Sequence, residues 1–175
     1  MLGLAAPLCA APAQHIDFES RHDFRCTNPK YQKEEFINLF PGGFKGKCFR
    51  LFCPKEMKSL SFHNWTHPRV KVPSSSAGVK FSIYLKGKGT VSYGFFCYDI
   101  NKKNIYPPGT FRKAAIDSKE WKKYTFTFTP EAGKLYANKA AYLLPYLTIT
   151  SESLIFMDEI QVEFEDAASS IKIEE

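Results

Sequence analysis

A chain of 175 residues, 44% hydrophobic and 15% aromatic, is long enough to close one domain around a substantial core. Its sixteen Phe and nine Tyr suit strands better than helices. The net charge of +6 is scattered through Lys86-Gly-Lys88, Lys102-Lys103, Arg112-Lys113 and Lys122-Lys123. It forms no basic stripe, so no nucleic-acid partner is expected, and no apolar run is long enough to span a bilayer.

Residues 1–13 are short, apolar and uncharged, and end in Ala11-Pro-Ala13, a small-x-small cleavage pattern before Gln14. They read as a secretory signal peptide without the usual basic start, which predicts a secreted or cell-surface protein. Ile16-Asp-Phe-Glu19 is a first short strand. Residues 20–44 look irregular, apart from a helical turn through Glu34–Phe40. Strands follow at Gly46–Cys53, Met57–His63 and Arg69–Val72, with Trp65 in the loop before the last of these.

The second half of the chain carries the plainest signal. Val79-Lys-Phe-Ser-Ile-Tyr-Leu-Lys86 alternates apolar with polar residues, and so do Tyr124-Thr-Phe-Thr-Phe-Thr129 and Ile160-Gln-Val-Glu-Phe164. A period of two lets a pleated strand bury one face and wet the other. Strands are expected at 79–86, 90–99, 121–129, 140–149 and 154–164. Residues 100–120, with Pro107-Pro-Gly109 and Asp117-Ser118, are expected to form a long loop. Pro145 predicts an edge or a bulge in its strand. The domain should therefore be an all-β sandwich or barrel over residues 14–165, followed by a polar tail at 166–175.

Removing the leader leaves Cys26, Cys48, Cys53 and Cys97. Cys48 and Cys53 lie about 16 Å apart on opposite faces of one strand and should not pair with each other. Any disulfides would then use Cys26 and Cys97 separately; otherwise all four are small buried hydrophobes.

Alternation also sorts residues by face. With Phe81, Ile83 and Leu85 inward, Tyr84 points outward, and Tyr142, Tyr146 and Tyr98 are assigned to the same exposed band, with Trp65 closing its end. Flat rings with hydrogen-bonding groups at their edges suit pyranose faces, which makes these five residues candidate carbohydrate contacts. Enzymatic readings do poorly. His63 and His67 precede Pro68, which argues against a metalloprotease helix, and alternation sends Asp158 and Glu159 to opposite faces.

The strand order resembles a known family. Val72-Pro-Ser-Ser-Ser-Ala-Gly-Val-Lys-Phe-Ser-Ile-Tyr-Leu-Lys86, Glu120-Trp-Lys-Lys-Tyr-Thr-Phe-Thr-Phe128 and Leu154-Ile-Phe-Met-Asp-Glu-Ile-Gln-Val162 resemble segments of carbohydrate-binding modules of the family 4/9 type. Asp17-Phe-Glu19 and Gly46-Lys-Cys-Phe-Arg-Leu51 resemble their opening strands. The resemblance covers most of residues 16–165. It implies a galactose-binding-like jelly roll of two antiparallel sheets, commonly appended to a secreted glycoside hydrolase, which binds a polysaccharide without acting on it. It also implies a core role for Trp121. A structural calcium is implied as well, held by Glu19, Asp158 and a carbonyl near Lys45. A structural or protein-interaction β-sandwich is the competing reading, and a small glycoside hydrolase or lyase the third.

Overall fold

The computed structural model describes residues 14–19, 24–64, 69–73, 76–105, 109–130 and 139–166. Trp65, the leader-like residues 1–13 and all but the first residue of the 166–175 tail lie outside them.

Among the described residues the chain forms eleven strands. They are β1 (Gln14–Ile16), β2 (Arg25–Cys26), β3 (Ile37–Pro41), β4 (Lys47–Cys53), β5 (Ser59–His63) and β6 (Val70–Lys71). The remainder are β7 (Ser76–Tyr98), β8 (Asn104–Ile105), β9 (Phe111–Phe128), β10 (Tyr142–Thr150) and β11 (Ser153–Asp166). Every pairing among them is antiparallel.

The fold is a jelly-roll β-sandwich whose two sheets share strands. One sheet runs β3–β4–β11–β7, and the other runs β7–β10–β5–β2. β9 follows β7 through both, from Val79↔Phe128 to Gly94↔Phe111. β7 hands over from β11 to β10 between Lys88↔Leu154 and Val91↔Ile149. Gly87 and Gly89, with φ of +120° and +142°, stand at this corner. A Cβ on Gly87 would collide with the Leu154 carbonyl oxygen, and one on Gly89 would press on Ser153. Long strands that bend through a corner are a usual way to join two packed sheets.

Four expectations are corrected here. The strands at 79–86 and 90–99 are one continuous strand. Residues 111–120, expected within a loop, are the first half of β9; only Ile116 of this stretch is buried, so alternation is faint there. Residues 20–44 contribute β2 and β3, and only Pro29–Tyr31 is helical, as a single 3-10 turn. Pro145 is on an interior strand, buried beside Phe95. On β10's other side the described pairs stop at Leu143↔Val70 and resume at Tyr146↔His63, so proline's missing N–H falls in that gap.

The core shows why one strand can serve both sheets. Phe81 enters it from the first sheet and Phe95 from the second, with ring centroids 5.9 Å apart, and Phe126 packs on both at 5.6 and 6.0 Å. At the other end Phe18, Phe24, Phe49 and Phe62 form a second aromatic group. Phe18, Phe24, Phe62, Phe81 and Phe95 are fully buried. Each contributes roughly 1.5–3 kcal/mol by leaving water. Trp121 belongs to neither group. It is only partly buried, its ring lying 4.5 Å from the Lys86 ammonium. The expected core role therefore falls to Phe81, Phe95 and Phe126.

Cys26, Cys48, Cys53 and Cys97 are all buried free thiols. Burial pushes Cys48 up to about 11 and Cys97 up to about 12, so both stay protonated and inert.

Candidate functional site

The outer face of the second sheet is built by alternation on β10 and β7. Leu143, Leu147 and Ile149 enter the core, as do Val91, Tyr93, Phe95 and Cys97. Their neighbours must then point the other way. The register puts Tyr142 beside Tyr98, Leu144 beside Phe96, and Tyr146 beside Gly94. Phe96 and Tyr146 meet edge-to-face at 4.7 Å, and Phe111 closes on Phe96 at 5.1 Å. Gly94 leaves room for this: a Cβ there would strike the Thr110 carbonyl oxygen.

Polar groups edge this aromatic file. The Arg69 guanidinium lies 3.9 Å from the centre of the Tyr98 ring, a cation–π contact, and its Nη1 has no hydrogen-bond partner among the described residues. Ser61 and Thr148 share a 2.9 Å hydrogen bond on the neighbouring rung. His63 packs 6.3 Å from the Tyr146 ring. Burial, with help from Arg25, holds its imidazole below the usual range and hence neutral.

The structure thus brings together Tyr98, Tyr142 and Tyr146 and separates Tyr84 from them. Tyr84 lies on the part of β7 that belongs to the first sheet, paired with Asp158 and Lys123. Its ring is stacked under Phe44 at 3.9 Å and 15°. Parity along one strand fails as a guide once that strand changes sheets, so the single band joining Tyr84 to the β10 tyrosines does not form. Sequence reasoning also missed Arg69 and Phe111. Phe111 was hidden by the turn-like Pro107-Pro-Gly109 just before it.

The expected metal residues gather around residues 42–47, a tight turn in which Gly43 N–H donates to Gly46 O at 3.0 Å. Asp158, fully buried, accepts Lys45 N–H at 2.9 Å and Glu159 N–H at 2.8 Å. Burial raises its pKa, partly offset by those amides. From the opposite end of the chain, Glu19 Oε1 accepts Lys47 N–H at 3.0 Å, and the Lys47 ammonium lies 3.1 Å from the Glu19 carbonyl oxygen. A register shift at Glu159, whose φ is +40°, corrects the expected opposition of Asp158 and Glu159. Both turn toward the same loop, and Glu159 takes the Lys45 ammonium at 2.9 Å. Among the described residues no three His, Cys, Asp or Glu side chains cluster as a metal site.

No family model matches the sequence, and no curated protein matches it significantly. Solved structures do match in fold. The C-terminal family 22 carbohydrate-binding module of Clostridium thermocellum Xyn10B superposes with a TM-score of 0.52 at 15% identity, covering 91% of this chain and 95% of that one. The fold is that of β-sandwich carbohydrate-binding modules. A tandem of two family 22 modules from Paenibacillus barcinonensis Xyn10C gives 0.57 at 15% identity, over 97% of this chain and 50% of that one. The C-terminal family 6 module of the Zobellia galactanivorans laminarinase LamC gives 0.51 at 10%, over 87% and 99%. The chain spans only 23%, 20% and 29% of three longer matches: an α-L-arabinofuranosidase, a bacteriophage CBA120 tailspike, and a family 22 module joined to its xylanase from Clostridium thermocellum.

Proposed function

We propose that this domain binds polysaccharide without cleaving it, on the outer face of the second sheet. The observation that carries this reading is the partly exposed file Tyr142–Tyr98 and Phe96–Tyr146, edged by Arg69. A pyranose face laid on one such ring removes on the order of 100 Å² from water, about 2.5 kcal/mol. Two or three rings must also offset several kcal/mol of association cost, so dissociation constants on the order of micromolar to millimolar are expected. Arg69 Nη1 is itself buried, so the guanidinium serves the file by holding the Tyr98 ring in place through their cation–π contact. Trp65, two residues beyond β5 in the sequence, is proposed as a further ring contact for the sugar.

The whole protein is proposed to be secreted or surface-exposed, on the strength of residues 1–13, and to serve a catalytic partner domain. The structures of xylanase and laminarinase modules support that association.

A calcium ion is proposed as a clamp between the chain's ends. The donor chemistry fits in kind: Glu19 and Asp158 offer carboxylate oxygens, and the 43–47 turn offers carbonyls, Lys45 among them. The Lys47 ammonium beside Glu19 is its competitor and would have to swing away. The ion would supply charge neutralisation for buried Asp158 and tie the turn to both termini.

Calorimetry with neutral oligosaccharides of increasing length, xylan-type and laminarin-type, tests the binding reading. Affinity should rise with length and level off once the file is covered, and Arg69→Ala should weaken it. Absence of binding to any glycan on an array would hand the face to a protein partner.

A further inference from the structure

Where β7 and β9 leave the first sheet, a groove of about 410 Å³ opens at the corner. Lys86, Lys88 and Lys119 line it against a single carboxylate, Asp117, and Phe156 and Leu154 form its apolar floor. The Lys86 ammonium is held between two rings, 4.5 Å from the centre of Trp121 and 5.6 Å from that of Phe156. Among the described residues no carboxylate lies within salt-bridge reach of any of the three lysines. Three ammonium groups facing one carboxylate, Asp117, which lies across the β7–β9 ladder from Lys88, leave a net positive groove over an apolar floor, complementary to a ligand with a flat carbon face and repeated negative charge.

We propose that this groove is a second saccharide site, selective for uronate-bearing chains. Lys86 and Lys88 stand two positions apart on β7, either side of Gly87, and Lys119 lies in the β9 stretch between the Leu85↔Lys122 and Gly87↔Ser118 pairs; all three line the groove. Point charges at that spacing suit carboxylates on successive sugar units; a single compact phosphate would be better served by the paired donors of an arginine fork. The pyranose face would lie on Phe156 and Leu154. The ligand class rests on the carbohydrate-binding reading above; the location and the charge selectivity do not.

The test titrates hexagalacturonate, and the same hexamer as its methyl ester, into three proteins by calorimetry. These are wild type, Lys88→Ala/Lys119→Ala and Tyr98→Ala/Tyr146→Ala, each checked by melting. Hexagalacturonate should bind wild type and the tyrosine variant alike, and weaken by about fivefold for each lysine removed, as exposed charge pairs at the upper end of their range do. The methyl ester should bind the groove at least tenfold more weakly, and raising NaCl from about 50 to about 500 mM should weaken the acid form. Three results would overturn the proposal: no hexagalacturonate binding, binding lost in the tyrosine variant and kept in the lysine variant, or equal affinity for a single-stranded DNA hexamer. If neutral oligosaccharides fail while hexagalacturonate binds through the lysines, the groove stands and the tyrosine face falls. Neutral binding at the tyrosines with no acid binding gives the converse.

Discussion

Replacing Gly87 by alanine should test the corner that makes this sandwich. At a φ of +120° an L side chain is strained, at a cost of about 1–3 kcal/mol. The added Cβ would also run into the Leu154 carbonyl, backbone that cannot rotate aside, at the corner end of the β7–β11 ladder. Losing one ladder bond adds roughly 1 kcal/mol, giving a total of about 2–4 kcal/mol. For a domain of this size each kcal/mol lowers the melting temperature by about 2–4 °C, so the variant should melt roughly 5–15 °C below wild type. Gly42→Ala is the control, because its φ is +81° but a Cβ there meets nothing within 4 Å. It should lose only the strain component. Thermal unfolding followed by circular dichroism decides it. A Gly87→Ala protein melting within about 2 °C of wild type would refute the picture of one strand pivoting between two sheets at this residue.

Phe95→Ala should lower stability by about 3–5 kcal/mol as large core truncations do, whereas Trp121→Ala, on the outer face, should cost markedly less; chemical denaturation compares them. Calcium should raise the melting temperature at pH 7. Because Asp158 has a raised pKa in the fold, its contribution to stability is full below the unfolded carboxylate range and is lost as pH rises through the folded value. A cation reverses that loss only while Asp158 is ionised, so the calcium effect should fade as the pH falls through Asp158's raised range, and Asp158→Ala should abolish it. An unchanged midpoint with EDTA and with millimolar calcium would remove the ion. Ellman's reagent should react with none of Cys26, Cys48, Cys53 and Cys97 in the native protein and with all four after denaturation without reductant.

Alternation was legible wherever one face of a strand meets the core and the other meets water. Phe81, Ile83 and Leu85 are fully buried as expected, and Val162 and Phe164 likewise point inward. The same rule misled at the corner. There Arg112-Lys113 and Asp117 to Glu120 are polar on both faces of β9, and nothing local distinguishes such a strand from a loop. Tyr84 was assigned to its true face of β7, but which sheet that face belongs to depends on β7 bending at Gly87 and Gly89, a tertiary fact. The extra residue at Glu159 was equally hidden, because a bulge reverses parity without changing composition. Tyr142 and Tyr146 were placed outward because Leu143, Leu147 and Ile149 form a consistent apolar set, whereas on 90–99 both faces are aromatic and only the fold shows Val91, Tyr93, Phe95 and Cys97 to be the inward set.

Affinity for one neutral oligosaccharide long enough to cover the file, compared across wild type, Tyr98→Ala, Tyr146→Ala and Tyr84→Ala, tests the binding face most directly. Tyr98→Ala and Tyr146→Ala should each weaken binding about tenfold or more, near 1.4 kcal/mol, with the fold intact, and Tyr84→Ala should bind like wild type. A loss confined to Tyr84→Ala would contradict the account and move the sugar to the other sheet.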